Sequence, residues 1–185
     1  MSKQSIGILV GSLRRDSFSK KVALYLAKLL EAQFDVMFFD IAPLAMYNQD
    51  LDNETDIPED WLRFRQEVKA VDAVLFVTPE YNRSIPPVLK NALDIASRPT
   101  SENAWNDKPG AIVSVSPGSI GGFGANHHLR QSASCRNIIM MPQPEAYVGG
   151  IARSVDENSV SNENTQAFLR NISDAFTAWI RRFES

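Results

Sequence analysis

A chain of 185 residues, 44% apolar and 22% charged, is long enough to bury a core and too short for two full domains, so a single domain over residues 1–185 is expected. A formal charge of -3 and a pI near 5.4 give no general attraction for polyanions, which argues against nucleic acid as a partner, and no apolar run approaches membrane-spanning length. The single cysteine, Cys135, can form neither an internal disulfide nor a cysteine metal cluster, as expected in a reducing compartment. Met1-Ser2-Lys3-Gln4-Ser5 leads into only five strand-like residues before Gly11, too few for the apolar region of a signal peptide. A cytoplasmic protein is expected.

The first strand is the apolar run 6–10. It passes through Gly11-Ser12-Leu13-Arg14-Arg15-Asp16-Ser17-Phe18-Ser19 into a helix whose apolar stripe is Phe18, Val22, Leu26 and Leu30. A helix N-terminus leaves backbone N–H groups unpaired and carries partial positive charge, and here three hydroxyls and two guanidinium groups crowd that end. Phosphate is the natural guest; the plainer alternative is that Ser17 or Ser19 caps the helix and the arginines are solvated. Residues 34–39 form a short, partly alternating strand polar enough for a sheet edge, and 42–58 are a long loop rich in Pro, Asn and Asp.

Pro58-Glu59-Asp60 opens a second helix with Trp61, Phe64, Val68 and Val71 as its stripe. The uninterrupted run 73–77 reads as a strand buried on both faces, ending in Thr78-Pro79-Glu80-Tyr81-Asn82-Arg83-Ser84-Ile85-Pro86-Pro87. The two prolines suit the first turn of a third helix with Leu89, Ala92, Leu93 and Ala96 inward. Residues 103–110 read as a surface connection; in it, Trp105 is open to two roles, an interface anchor or a lid. A fourth strand, 111–115, meets Ser116-Pro117-Gly118-Ser119-Ile120-Gly121-Gly122-Phe123-Gly124, followed by a helix over about 125–134. Residues 137–141 are the fifth strand, 142–150 an irregular segment, and the last helix presents Phe168, Ile172, Phe176 and Trp179 or Ile180.

Strands alternating with helices imply an α/β doubly wound parallel sheet, and right-handed crossovers favour the flavodoxin-like order 2-1-3-4-5. That order gathers the loops after strands one, three and four around one crevice at the switch point. The chain has no G-x-x-x-x-G-K-[ST] for nucleoside triphosphates and no G-x-G-x-x-G after the first strand. Gly11 and Ser12 stand where a receiver domain would want an acidic pair. FMN remains the natural phosphate ligand.

Gly11-Ser12-Leu13-Arg14 with Ser17, and the long run from Pro79-Glu80-Tyr81-Asn82 to Lys90-Asn91-Ala92-Leu93-Asp94, resemble the paired signatures of the NADPH-dependent FMN reductase family. The likeness runs from the first strand to about residue 149. It implies that Ser12, Arg14, Ser17 and Ser19 hold the FMN phosphate, that Pro79, Glu80, Tyr81, Asn82 and Ser84 run along the isoalloxazine, and that Ser116, Pro117 and Gly118 border its other edge. It further implies a ping-pong cycle in which hydride passes from NAD(P)H through FMN to a quinone or similar small acceptor, with no catalytic side chain required. Tyr81 or Glu80 could orient an acceptor, although loop support suits Glu80 better. A homodimer is expected by the same likeness, aided by the apolar residues 85–89, with pairing of two dimers left open. The rival readings are a non-enzymatic flavodoxin-like electron carrier, against which the small net charge speaks, and a flavin-binding regulatory module.

Among the remaining residues, His127 and His128 are neighbours on a helix and point about 100° apart, which does not suit joint metal binding. No metal site is expected. Cys135 at a helix end reads as a small buried apolar residue. Glu145 and Tyr147 read as a rim loop or, by the resemblance, as subunit contacts.

Overall fold

The structure, a computed structural model, describes residues 3–184; Met1 and Ser2, which belong to the opening segment considered above, and Ser185, the last residue of the expected domain, lie outside the described residues. Strands β1 (Ser5–Val10), β2 (Asp35–Phe38), β3 (Ala73–Pro79), β4 (Pro109–Val115) and β5 (Ile139–Met140) form a parallel sheet in the order β2-β1-β3-β4-β5. The expected flavodoxin-like order is therefore present.

Strand periodicity separates the core into two layers. Ile6 and Ile8 of β1, Leu75 and Val77 of β3, and Val113 and Val115 of β4 pack with helices α1 (Phe18–Leu30) and α5 (Glu163–Ile180). The intervening Leu9, Val74, Phe76 and Ile112 pack with α2 (Glu59–Ala70), α3 (Pro87–Ala96) and α4 (Phe123–Cys135). Because β3 and β4 lie between two helical layers, they carry almost no polar residues. β2 pairs on one side only, and Asp35, Met37 and Phe38 are exposed there.

Four expectations need correction. The fifth strand is two pieces: β5 pairs with the start of β4, while β6 (Ala146–Val148), inside the segment expected to be irregular, pairs with its end. Pro142 and Pro144 stand between them, and proline cannot donate to the ladder. Asn137 has φ +61° and is no strand residue. Trp105 is neither an interface anchor nor a lid, because it is fully buried against Phe64 and Phe76 and donates its Nε1–H to the Leu93 carbonyl at 3.0 Å. In α5, Ile172, Phe176 and Ile180 are buried as expected, but Leu169 is buried with them while Phe168 and Trp179 are half-buried against the same core. Cys135 is exposed, at the end of α4.

Candidate functional site

Three loops leave the C-terminal ends of β1, β3 and β4, which are adjacent strands, so the three meet along one edge of the sheet. The first passes Gly11 so close to the end of β3 that a Cβ there would sit 2.9 Å from Thr78 Oγ1 and 3.3 Å from Pro79 Cδ. Only glycine permits that approach. Ser17 is the N-cap of α1, its Oγ accepting from Lys20 N at 3.2 Å, so the plain reading of this serine is true as far as it goes. Its hydroxyl proton remains available. Ser12, Ser17 and Ser19 are all nearly buried against the loop, whereas Arg14 and Arg15 are exposed and unpaired among the described residues. Asp16, the loop's acid, is taken by Lys21 at 2.8 Å, and that hydrogen bond and charge hold its carboxyl below the usual range.

The second loop is a tight reversal. Tyr81 and Ser84 exchange backbone hydrogen bonds at 2.9 and 3.0 Å around Asn82 and Arg83, both in the left-handed region at φ +52° and +67°. Two consecutive positive φ values close a two-residue turn of the kind that joins antiparallel segments. Glu80 fastens it to α4: its Oε2 accepts from Ala125 N at 3.0 Å, satisfying one of the helix's first N–H groups. The Glu80 carboxylate thereby ties the second loop to α4. Ser84 Oγ meets His128 Nδ1 at 3.0 Å, a second tie to the same helix, and Tyr81 and Asn82 are left exposed.

The third loop is seated on β6. Ser116 N donates to the Val148 carbonyl at 2.9 Å, Gly118 N to Ser116 Oγ at 3.1 Å, and Gly150 N to the Gly118 carbonyl at 3.1 Å. Ser116 and Pro117 stand at the end of a fully buried strand, and Gly118 is exposed. Beneath them, buried Asn126 joins α4 to Ser114 Oγ and to the Ala146 carbonyl, both at 3.3 Å. Ten of the twelve residues expected to surround a flavin lie on the three loops, and the other two, Pro79 at the end of β3 and Ser19 in the first turn of α1, adjoin them.

Other polar groups could not be assigned from sequence. Tyr147 donates to Glu145 Oε2 at 2.6 Å, which spends its one proton, so it accepts from His127 Nε2 at 3.0 Å. Phe123 leans on both rings. Burial, followed by the Glu145 carboxylate, pushes the Tyr147 hydroxyl up to about 12. His127 and His128 turn to different partners, as their helical spacing requires. Among the described residues no histidine, cysteine and carboxylate cluster could hold a metal ion. The only signal for the Tyr147 chain in the sequence was the proximity of Glu145 and Tyr147.

The arrangement fits FMN. Unpaired N–H groups, serine hydroxyls and a free guanidinium at the start of α1 suit a phosphate monoester. The second and third loops leave Tyr81, Asn82, Pro117 and Gly118 exposed at the same edge. A family model described as NADPH-dependent FMN reductase matches residues 5–153. The chain is 48% identical over 177 residues to a quinone reductase of Pseudomonas putida, covering 96% of this chain and 95% of that one. It is 45% identical to a 2-hydroxy-1,4-benzoquinone reductase of Burkholderia sp, covering 95% and 96%. Among solved structures, the flavoenzyme NAD(P)H:(acceptor) oxidoreductase FerB from Paracoccus denitrificans superposes with a TM-score of 0.90 at 40% identity, covering 97% of this chain and 98% of that one.

Proposed function

The chain belongs to the NADPH-dependent FMN reductase family, and from that premise we propose that it carries hydride from NAD(P)H through bound FMN to a quinone or similar small acceptor in a ping-pong cycle. It is an oxidoreductase that uses FMN, with NAD(P)H as co-substrate. The observation that carries the reading is the convergence of the loops after β1, β3 and β4 on one edge of the sheet.

Bound FMN supplies the hydride acceptor and donor, so the protein's part is to bind, orient and expose it. We assign the phosphate to Ser12, Arg14, Ser17, Ser19 and the first N–H groups of α1. Pro79, Glu80, Tyr81, Asn82 and Ser84 would form one wall of the ring site, with Ser116, Pro117 and Gly118 as the other. The Glu80 and Ser84 ties to α4 hold the first wall in place, while the exposed Tyr81 ring and Asn82 amide are free to meet the nicotinamide or the acceptor. A single domain acting as a homodimer, or as two paired dimers, in the cytoplasm completes the proposal. Among the described residues no helix is long and apolar enough to cross a membrane.

Purified protein should be yellow, should bleach with NAD(P)H in the absence of any partner protein, and should regain colour with a quinone. Arg14→Ala should weaken FMN binding by about ten- to a hundred-fold in a fluorescence titration, since a hydrogen bond to a charged group contributes roughly 1.5–3 kcal/mol. Colourless protein that takes up no added FMN would overturn the proposal. Intersecting rather than parallel lines in initial-rate plots would exclude the ping-pong order.

A further inference from the structure

The first loop carries more positive charge than one phosphate uses. Arg14, Arg15, Lys20 and Lys21 accompany a single acid, Asp16, and Lys21 is committed to that carboxylate at 2.8 Å and to the Asp156 carbonyl at 2.9 Å. A phosphate monoester bears roughly -1.5 to -2 charge at neutral pH. The α1 N-terminus, the serine hydroxyls and Arg14 already answer it. Arg15 and Lys20 are left over, exposed and without an ion pair or side-chain hydrogen bond among the described residues.

This surplus lines a recess. On the β2 side of the loop, a cavity of about 450 Å³ opens between residues 12–15, the first turns of α1 and residues 38–42. Leu13, Leu24 and Phe38 are 57%, 40% and 40% exposed, a clustering of uncovered apolar groups at one place on the surface. Asp40 is the one acid in the lining, and its Oδ1 accepts from Ala42 N at 3.2 Å. A partly exposed aromatic side chain beside two unneutralised cations is the chemistry that receives a phosphorylated purine: the ring packs on the apolar side and the phosphate takes the charges. The volume falls within the range of small-ligand clefts, roughly 300–1,000 Å³.

We infer that this recess receives the 2′-phosphorylated adenosine end of NADPH, with Phe38 and Leu24 against the adenine and Arg15 and Lys20 on the 2′-phosphate, so that NADPH is preferred to NADH. The inference rests on the reading that NAD(P)H reduces a flavin held at this sheet edge. Ser12 and Arg14 belong to both the recess and the phosphate loop, which brings the two sites side by side. NADH lacks the group that Arg15 and Lys20 would bind.

The test is calorimetric titration of the FMN-loaded protein with 2′,5′-ADP and with 5′-AMP, in the wild type, in the Arg15→Ala/Lys20→Ala double variant and in Phe38→Ala. Visible absorbance of the bound flavin reports that each variant is folded and loaded. The wild type should bind 2′,5′-ADP at least tenfold more tightly than 5′-AMP; the double variant should lose that preference, and Phe38→Ala should weaken both nucleotides alike. Equal affinities in the wild type, or a preference undiminished in the double variant, would overturn the inference and leave the flavin reading standing. Protein that takes up no FMN would overturn both.

Discussion

Ser17 occupies the position where two readings of one residue are compatible. Its oxygen caps α1 while its proton is free, so capping and phosphate binding do not compete. Trp105 and Cys135 are the opposite case, in which a residue's neighbours in sequence misled: a tryptophan in a polar loop is fully buried, and a thiol at a helix end is exposed. Tyr147 yields a pH prediction. Below about 10 its hydroxyl is protonated in both the folded and unfolded chain, and stability is unaffected; between about 10 and the folded value of about 12 only the unfolded chain ionises, so stability falls as pH rises. A phenolate absorbance titration of the native protein, which has four tyrosines, should show a step near 12 that Tyr147→Phe removes.

The loop over residues 42–58 is the element whose behaviour the sequence least disclosed. Its Pro, Asn and Asp content predicts irregular backbone, and apart from a short 3₁₀ turn at Gln49–Leu51 the backbone is irregular. What holds it is distant in sequence. Buried Asn91 of α3 donates to the Leu44 and Ala45 carbonyls at 3.2 and 3.0 Å and accepts from Tyr47 N at 2.8 Å. Arg65 of α2 grips both oxygens of Asp52 at 2.9 and 3.0 Å and donates its Nε–H to the Ile95 carbonyl. Arg65 is 7% exposed, so Asp52→Ala strands a buried guanidinium and should cost about 3–5 kcal/mol in urea unfolding. Asp52→Asn, which retains one acceptor, should cost less.

At the scale of the molecule, two helical layers enclose a sheet whose C-terminal edge holds the loops after β1, β3 and β4. The proposed homodimer belongs here. Pro86 and Leu89 turn inward, but Ile85 and Pro87 line an open recess of about 800 Å³ between α3 and α4, beside the second loop. Sedimentation equilibrium should give twice the 20.6 kDa chain mass, and a species of 20.6 kDa alone would refute the dimer.

The alternation of strands and helices as far as α4, the buried character of β3 and β4, the strand order 2-1-3-4-5 and the three loops that share one edge were legible in the sequence. Each follows from local signals, apolar periodicity and turn chemistry, combined with the handedness of parallel crossovers. Which polar groups meet across that frame depends on how the elements pack. The seating of the third loop on β6, the clasp of Asn91 and Arg65 on the long loop, and the chain from His127 through Tyr147 to Glu145 join residues on different elements or at their ends. No periodicity records such partners, because a buried hydrogen bond depends on where packing brings a donor and an acceptor together.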